Sequence, residues 1–309
     1  AAVVFEPFAY EALKFAYTRL FGSPMLPSLD LDRADVLVGF GADFLETWLS
    51  PVEYARKFKD MHGYHEGRKG LFIQVSPFQS LTGANADRWI GCRPGTEAIV
   101  ILGLIRAITK GDAAGRGSRR IRDTLAAVSA AYPPDVVARI TGVRPADIDT
   151  IAERLLTAER PLILGTGNGS TGQAAMAADL AALLLNLALD PDLSLFDLQR
   201  RHRVEVAASR REVLDAFATM DGAELILLNN VNPAFSIPGG SGVADTLAGK
   251  KPYVVALSNF MDETAELADL VVPVQMALET WDVYESERTI LSTLQPAMGR
   301  INRAPAVGD

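Results

Sequence analysis

The residues of this chain best placed to do chemistry are small polar side chains at the ends of apolar runs. Asp43 and Glu46 follow Ala34-Asp-Val-Leu-Val-Gly39, and Asn229, Asn230 and Asn232 follow Ala223-Glu-Leu-Ile-Leu-Leu228. Ser76, Ser258 and Asn259 follow two further runs. Carboxylates, amides and hydroxyls at strand C-termini suit a long ligand with ribose hydroxyls and base edges, since open α/β sheets bind ligands beyond those ends. The same residue types cap helices and shape turns. On sequence alone both readings stay open.

A second candidate is Gly167-x-Gly169-x-x-Gly172, between an apolar run and a helical one. Glycines at that spacing let backbone N–H groups approach a pyrophosphate at a helix N-terminus, and an acid about 20 residues on would hold the ribose. Asp190 or Asp192 could be that acid, which would make the chain a soluble NAD- or FAD-dependent enzyme. Other chemistry is sparse. His62, His65 and His202 are scattered; a solvated turn accounts for the first two beside Glu66, and no metal site is expected. Cys92, the single cysteine, has no base placed near it and reads as a structural thiol. Gly-x-Ser-x-Gly, a P-loop and His-Glu-x-x-His are all absent from the sequence.

The elements that must position these groups occur twice. Ser76-x-Phe78-x-x-x-Thr82-x-x-x-Ala86-Asp87 aligns without a gap on Ser258-x-Phe260-x-x-x-Thr264-x-x-x-Ala268-Asp269, and each copy lies downstream of a buried-type strand with a polar end. Two related strand–helix–strand units follow, and a site between two such lobes would see strand ends from both. Strands at 36–40, 71–75 and 161–164 alternate with helices at 11–21, 51–61, 96–108, 119–132, 146–156 and 172–189. That alternation predicts an α/β protein with mostly parallel sheets and Rossmann-like lobes. The polar break at 111–117 divides the chain into a helical lead-in (1–29), a first lobe (30–112), a second lobe (113–290) and a tail (291–309).

Composition narrows the function. The 309 residues suffice for about two domains, and 49% hydrophobic against 22% charged residues supports large cores. A net charge of −8 argues against a nucleic-acid partner, which calls for a basic surface. The arginine-rich pieces at 116–120 and 200–211 read as solvated faces or contacts to a partner subunit. The most apolar stretch, 174–189, is broken by Asp179 and Asn186 and reads as a core helix rather than a membrane span. With Ala1 in place of an initiator Met, the chain has the look of a mature protein or a segment of a longer one.

Several of these segments carry a resemblance to the molybdopterin oxidoreductases of the dimethyl-sulfoxide-reductase type. They are Ala34–Asp43, Ala86–Glu97 (Ala-Asp-Arg-Trp-Ile-Gly-Cys-Arg-Pro-Gly-Thr-Glu), Asn232-Pro233, Glu263–Pro273 and Glu279–Arg288. In that family two such lobes hold the guanosine ends of two molybdopterin guanine dinucleotides around molybdenum or tungsten. The resemblance places those contacts at Gly41, Asp43, Glu46, Ser76, Gly95, Glu97, Thr166, Asn232, Ser258 and Asn259.

The departures have their own meaning. Ser76-Pro77-Phe78 stands where the family has Asp-Pro-Arg, which removes both an acid and a base. Asp43-Phe44 replaces Asn-Pro, and the loop after Gly167 lacks the usual Gln. Phe5-Glu6-Pro7 lies where a Cys or Ser metal ligand would be expected; Glu6 is the only oxygen donor there.

Such decay resembles the cofactor-lacking subunits of alternative complex III and the menaquinone reductase complex. The resemblance then implies a subunit, or segment, of a membrane-associated respiratory quinone oxidoreductase complex, structural and without its own molybdenum cofactor or catalytic centre. Its partners would be an iron–sulfur subunit, a multihaem cytochrome c and membrane quinone-binding subunits, on the periplasmic side of the inner membrane. The alternative within the same family is an active molybdenum or tungsten bis-pterin oxidoreductase.

Overall fold

The computed structural model describes residues 2–64, 67–110, 119–167, 170–239, 242–249, 252–301 and 303–307. The chain divides into two compact units, Tyr10–Glu205 and a discontinuous one of Ala1–Ala9 with Val206–Asp309.

The Tyr10–Glu205 unit runs α1 (Glu11–Phe21), β1 (Pro27–Leu29), β2 (Val36–Gly39), α2 (Pro51–His62), β3 (Leu71–Ser76), α3 (Leu81–Ala84), β4 (Arg88–Gly91) and α4 (Glu97–Thr109). It continues through α5 (Arg119–Ser129), α6 (Pro134–Thr141), α7 (Pro145–Thr157), β5 (Pro161–Leu164), α8 (Gly172–Leu189) and β6 (Phe196–Arg201). Four strands form a parallel sheet in the order β4-β3-β2-β5, with Val36 opposite both Leu71 and Pro161. β1 and β6 form a separate antiparallel pair. Because β2, β3 and β4 advance in one direction, α2 and its neighbours pack on one face, where Tyr54, Phe58 and Met61 meet Leu37 and Phe72. The chain then crosses back from β4 to β5, so α4, α7 and α8 cover the other face through Ile101, Leu104, Ile151 and Leu185 against Val36, Val38, Ile73 and Val75. Both faces are buried, as the nearly all-apolar strands require.

The second unit contains α9 (Arg210–Ala218), β7 (Leu225–Asn229), α10 (Pro233–Ser236), α11 (Val243–Leu247), β8 (Tyr253–Leu257), β9 (Leu270–Val272), β10 (Asp282–Glu287) and β11 (Ile290–Leu294). β7-β8-β9 is a parallel sheet, and β10-β11 an antiparallel hairpin. Its core joins Val213, Phe217, Val243 and Leu247 to Ile226, Leu228 and Val254.

Three expectations are corrected here. A lobe boundary after residue 112 fails because β5 pairs with β2, so residues 119–205 complete the sheet begun at Val36. The lead-in 1–29 is split: residues up to Ala9 belong to one unit, while α1 packs against α8 in the other through Ala16, Tyr17 and Leu183. The supposed tail from 291 supplies β11, and the Gln275 amide bonds the Pro305 carbonyl at 3.0 Å. α6 falls between the predicted helices at 119–132 and 146–156; Pro134 is its first residue, where its missing N–H costs nothing.

Candidate functional site

The duplication extends to individual hydrogen bonds. Asp87 donates its amide to the Phe72 carbonyl and accepts the Phe72 amide on its carboxylate, both at 2.9 Å; Asp269 does the same with Val254 at 2.9 and 2.7 Å. Ser76 Oγ donates to the Phe78 carbonyl and Ser258 Oγ to that of Phe260. The Thr82 hydroxyl accepts the Leu45 amide, and Thr264 that of Ala234. Even the left-handed residue after the first strand recurs, as Gly41 (φ 95°) and Asn230 (φ 51°), two residue types that tolerate it.

In the Tyr10–Glu205 unit the strand order reverses between β2 and β5, the kind of crevice where open sheets bind ligands. Here the loops after these strands close on each other. The Ala42 amide bonds the Gly165 carbonyl at 3.1 Å, and a Cβ at Gly167 would lie 2.7 Å from the Gly41 carbonyl oxygen. Only glycine permits that approach. Asp43 accepts from the Ser80 hydroxyl, and its backbone carbonyl receives the amides of Glu46, Thr47 and Trp48. Burial lifts the Asp43 carboxyl above the usual range; the Ser80 bond opposes this and the Glu46 charge adds to it. Glu46 accepts the Leu81 amide at 2.9 Å. Ser76, buried, also accepts from the Trp89 indole at 3.0 Å. Gly95 (φ 75°) and Glu97 lie in a different place, the turn into α4 and its first residue. Thr96 takes the N-cap position, but its hydroxyl bonds the Arg93 carbonyl instead of capping.

Thr166 is buried and held by a residue that sequence reasoning treated only as an interruption. Its amide and hydroxyl both donate to Asp179 Oδ1, at 2.6 and 3.1 Å. Burial pushes the Asp179 carboxyl up to about 7, against those two hydrogen bonds. Asn186, two turns further along α8, bonds both the amide and the carbonyl of Ile163 in β5. An acid and an amide seven residues apart in an apolar helix were the available signal: two turns of helix put them on one face. α8 is the one described helix long and apolar enough to cross a membrane, and it packs in the core of this unit as expected.

In the other unit, Asn232 accepts from the Thr264 hydroxyl (2.7 Å) and the Phe235 amide (3.3 Å) and donates to Glu263 (2.7 Å). Asn259 accepts the Val274 amide and donates to the Met276 sulfur. Asn232, Ser258 and Asn259 thus form the turns beyond β7 and β8. Glu6 accepts the Phe8 amide at 3.1 Å, within a local turn.

The dinucleotide fingerprint does not assemble. Gly169 lies outside the described residues, as do His65 and Glu66. Asp190 is the C-cap of α8, bonding the Ser194 amide and hydroxyl. An 18-residue helix separates it from Gly172, about 27 Å at 1.5 Å per residue, and the next strand, β6, pairs with β1 and not with the parallel sheet. Among the described residues, Asp190 therefore does not reach the glycine loop. His62 stacks on Phe58 and bonds Asp87, which Lys69 also contacts; these bonds, with that of the Phe72 amide, outweigh burial and hold the Asp87 carboxyl low. Arg200 and Arg201 pair with Glu53 and Glu205 within their own unit. Cys92 is buried, which with nearby Glu97 pushes its thiol up to about 12 and leaves it inert, as expected of a structural thiol.

As a cradle for a guanine dinucleotide the set is a poor match. The hydroxyls and amides at the strand ends bond neighbouring backbone or side chains, and the carboxylates of Asp43 and Glu46 are engaged by the Ser80 hydroxyl and the Leu81 amide. Phe78, which stands at the family's base position, and its duplicate Phe260 are exposed apolar rings. Two orphaned polar groups lie nearby, the Trp48 indole N–H and the Gln74 amide, the latter wholly buried in mid-β3.

The fold is that of the molybdopterin oxidoreductases. Acetylene hydratase from Pelobacter acetylenicus superposes over 97% of this chain and 49% of its own, with a TM-score of 0.72 at 16% identity. No protein-family model matches the chain. Among curated proteins, the menaquinone reductase molybdopterin-binding-like subunit of Nitratidesulfovibrio vulgaris (strain Hildenborough) is 31% identical over 268 residues, 82% of this chain and 38% of that protein. The probable oxidoreductase YoaE of Bacillus subtilis (strain 168) is 24% identical over 286 residues, 81% of this chain and 40% of that protein. The chain belongs to the molybdopterin oxidoreductase family. It spans about two-fifths of the length of these curated relatives.

Proposed function

We propose that the chain is a molybdopterin-oxidoreductase-like subunit, or segment, of a respiratory quinone oxidoreductase complex, with a structural role and no molybdenum cofactor of its own. The similarity to a menaquinone reductase subunit supports the respiratory assignment. The observation that carries the structural role is the internal engagement of the strand-end groups. Ser76 is spent on Phe78 and Trp89, Asn232 on Thr264 and Glu263, and the backbone at Gly41 on the Gly165–Gly167 loop. A ligand would have to break these contacts, each charge-assisted one worth about 1.5–3 kcal/mol. Under this reading Gly41, Asp43, Glu46, Ser76, Gly95, Glu97 and Thr166 in one unit, and Asn232, Ser258 and Asn259 in the other, are what remains of two sets of cofactor contacts. The partners are an iron–sulfur subunit, a multihaem cytochrome c and membrane quinone-binding subunits, on the periplasmic side of the inner membrane.

The test is chemical analysis of the assembly purified from its native host. The expected result is no stoichiometric fluorescent pterin after oxidation and no molybdenum or tungsten assignable to this chain. One or two pterins per chain would overturn the structural reading in favour of an active bis-pterin enzyme.

A further inference from the structure

A narrow cavity of about 20 Å³ lies inside the Tyr10–Glu205 unit, among α1, α8 and the end of β5, with room for one water molecule. Leu13, Leu29 and Leu183 make its wall largely apolar, but Tyr17, Trp48 and Asp179 line it too. Those three are buried, at 3%, 2% and 3% exposure. Small residues make the space. α1 meets α8 through Ala16, and Gly165 and Ala182 line the gap beside that contact. Gly165 is required just beyond β5, because a Cβ there would collide with Asp179 Oδ1. That close approach brings the carboxyl up to Thr166.

Each of the three polar groups has hydrogen-bonding capacity left over. Asp179 Oδ1 accepts both the amide and the hydroxyl of Thr166. Burial favours the protonated carboxyl, and with Oδ1 already accepting twice the proton belongs on Oδ2, which then needs an acceptor. Burial, with the Asp179 charge second, holds the Tyr17 hydroxyl well above its usual range, so it keeps its proton. Among the described residues that hydroxyl makes no hydrogen bond, to Asp179 or to any other group. The Trp48 indole N–H is buried without a partner. Asn186, also on the wall, is by contrast fully used: it bonds the Ile163 amide and carbonyl and the Ala182 carbonyl. Buried polar groups are almost always paired, with protein or with ordered water.

We propose that this cavity is a binding site for one water molecule, which accepts from Asp179 Oδ2 and donates to the Tyr17 hydroxyl oxygen. The Trp48 N–H supplies a second donor, and three polar partners are typical of an internal water. An ion is the poorer guest, because the groups around it are neutral and the rest of the wall is apolar, so its lost hydration would go uncompensated. The bridging water ties α1 to α8. Through Asp179 and Thr166 it also steadies the loop whose Gly167 meets the Gly41 carbonyl. The site stands whether or not a cofactor binds.

The experiment is a crystal structure of the native protein at a resolution that orders internal waters, together with denaturant unfolding of Tyr17→Phe. The expected density is one water within about 2.5–3.0 Å of both Asp179 Oδ2 and Tyr17 Oη. No water at that position, or a direct Tyr17–Asp179 bond that closes the cavity, overturns the proposal. Tyr17→Phe removes one partner of the water and should lower the folding equilibrium constant about 2- to 12-fold. A hydroxyl without a native partner would give the opposite result, since deleting it would leave stability unchanged or raise it. Either of those outcomes overturns the proposal as well, and the density in the parent decides the matter should the variant fail to fold.

Discussion

Phe72 and Asp87 bind each other twice across β3 and the start of β4, backbone to backbone and backbone to carboxylate, each at 2.9 Å. Fifteen residues separate them, and the same fifteen separate Val254 from Asp269, which make the same two bonds. The aspartate thus fixes how far β4 or β9 advances along its neighbour, and it is the last residue of the motif repeated in the sequence. Its replacement tests whether this clamp stabilises both units. Asp87→Ala loses bonds to the Phe72 amide, His62 and Lys69, and should cost about 2–3 kcal/mol. Asp269→Ala loses the Val254 amide bond and should cost about 1–2 kcal/mol. Urea unfolding of each variant measures both; a cost below about 0.5 kcal/mol at either site, typical of plain surface positions, would remove the clamp from the account.

Thr82 and Thr264 give a second matched pair. Each is buried and accepts an amide from the segment that follows β2 or β7, that of Leu45 or of Ala234. Valine keeps the shape and deletes the acceptor, leaving a buried amide unsatisfied at about 1–3 kcal/mol. Thr264→Val should be the more damaging, because Thr264 also donates to Asn232. Equal or reversed costs in denaturant unfolding would mean that the Asn232 bond contributes nothing.

Two buried groups should oppose each other with pH. Asp179 is raised to about 7 by burial, so its contribution to stability is full below about pH 4, the unfolded value, and is lost as pH rises to about 7. His202, bonded to Tyr54 at 2.8 Å, is lowered to about 4 by burial. Its contribution is full above about 6.5 and is lost as pH falls towards 4. Between about pH 4 and 6.5 the slopes are of opposite sign, each approaching 1.4 kcal/mol per pH unit. Asp179→Asn should therefore unmask stability rising with pH over that window, and His202→Gln stability falling with it. Unfolding midpoints measured at half-unit intervals check this; two variants with parallel pH profiles would contradict the assignment.

The duplicated strands, the helix at Glu11–Phe21 and the family were legible because apolar runs with polar ends and a gapless motif are local signals. The unit boundary was not, since nothing near residue 112 announces that β5 will pair with a strand more than a hundred residues earlier. At the site, sequence left ligand binding and turn formation open for Asn232, Ser258 and Asn259, and the geometry gives each a turn or cap bond. Asp179 was visible only as a defect in an apolar helix. Its meaning needed the three-dimensional fact that Thr166 lies against it.

Glu6 is the residue whose substitution separates a structural part from a metal centre. It stands where the family would offer a metal ligand, yet its carboxylate accepts the Phe8 amide at 3.1 Å in a turn that precedes α1. Glutamine keeps an acceptor oxygen at that position. Glu6→Gln should leave the native complex assembled and its quinone-linked electron transfer within about twofold of the parent. Loss of a catalytic acid typically costs ~10²–10⁴-fold, and loss of a metal ligand would be accompanied by loss of the metal. Electron transfer reduced beyond about a hundredfold in a complex of unchanged subunit content would place Glu6 in a reaction centre and end the structural reading.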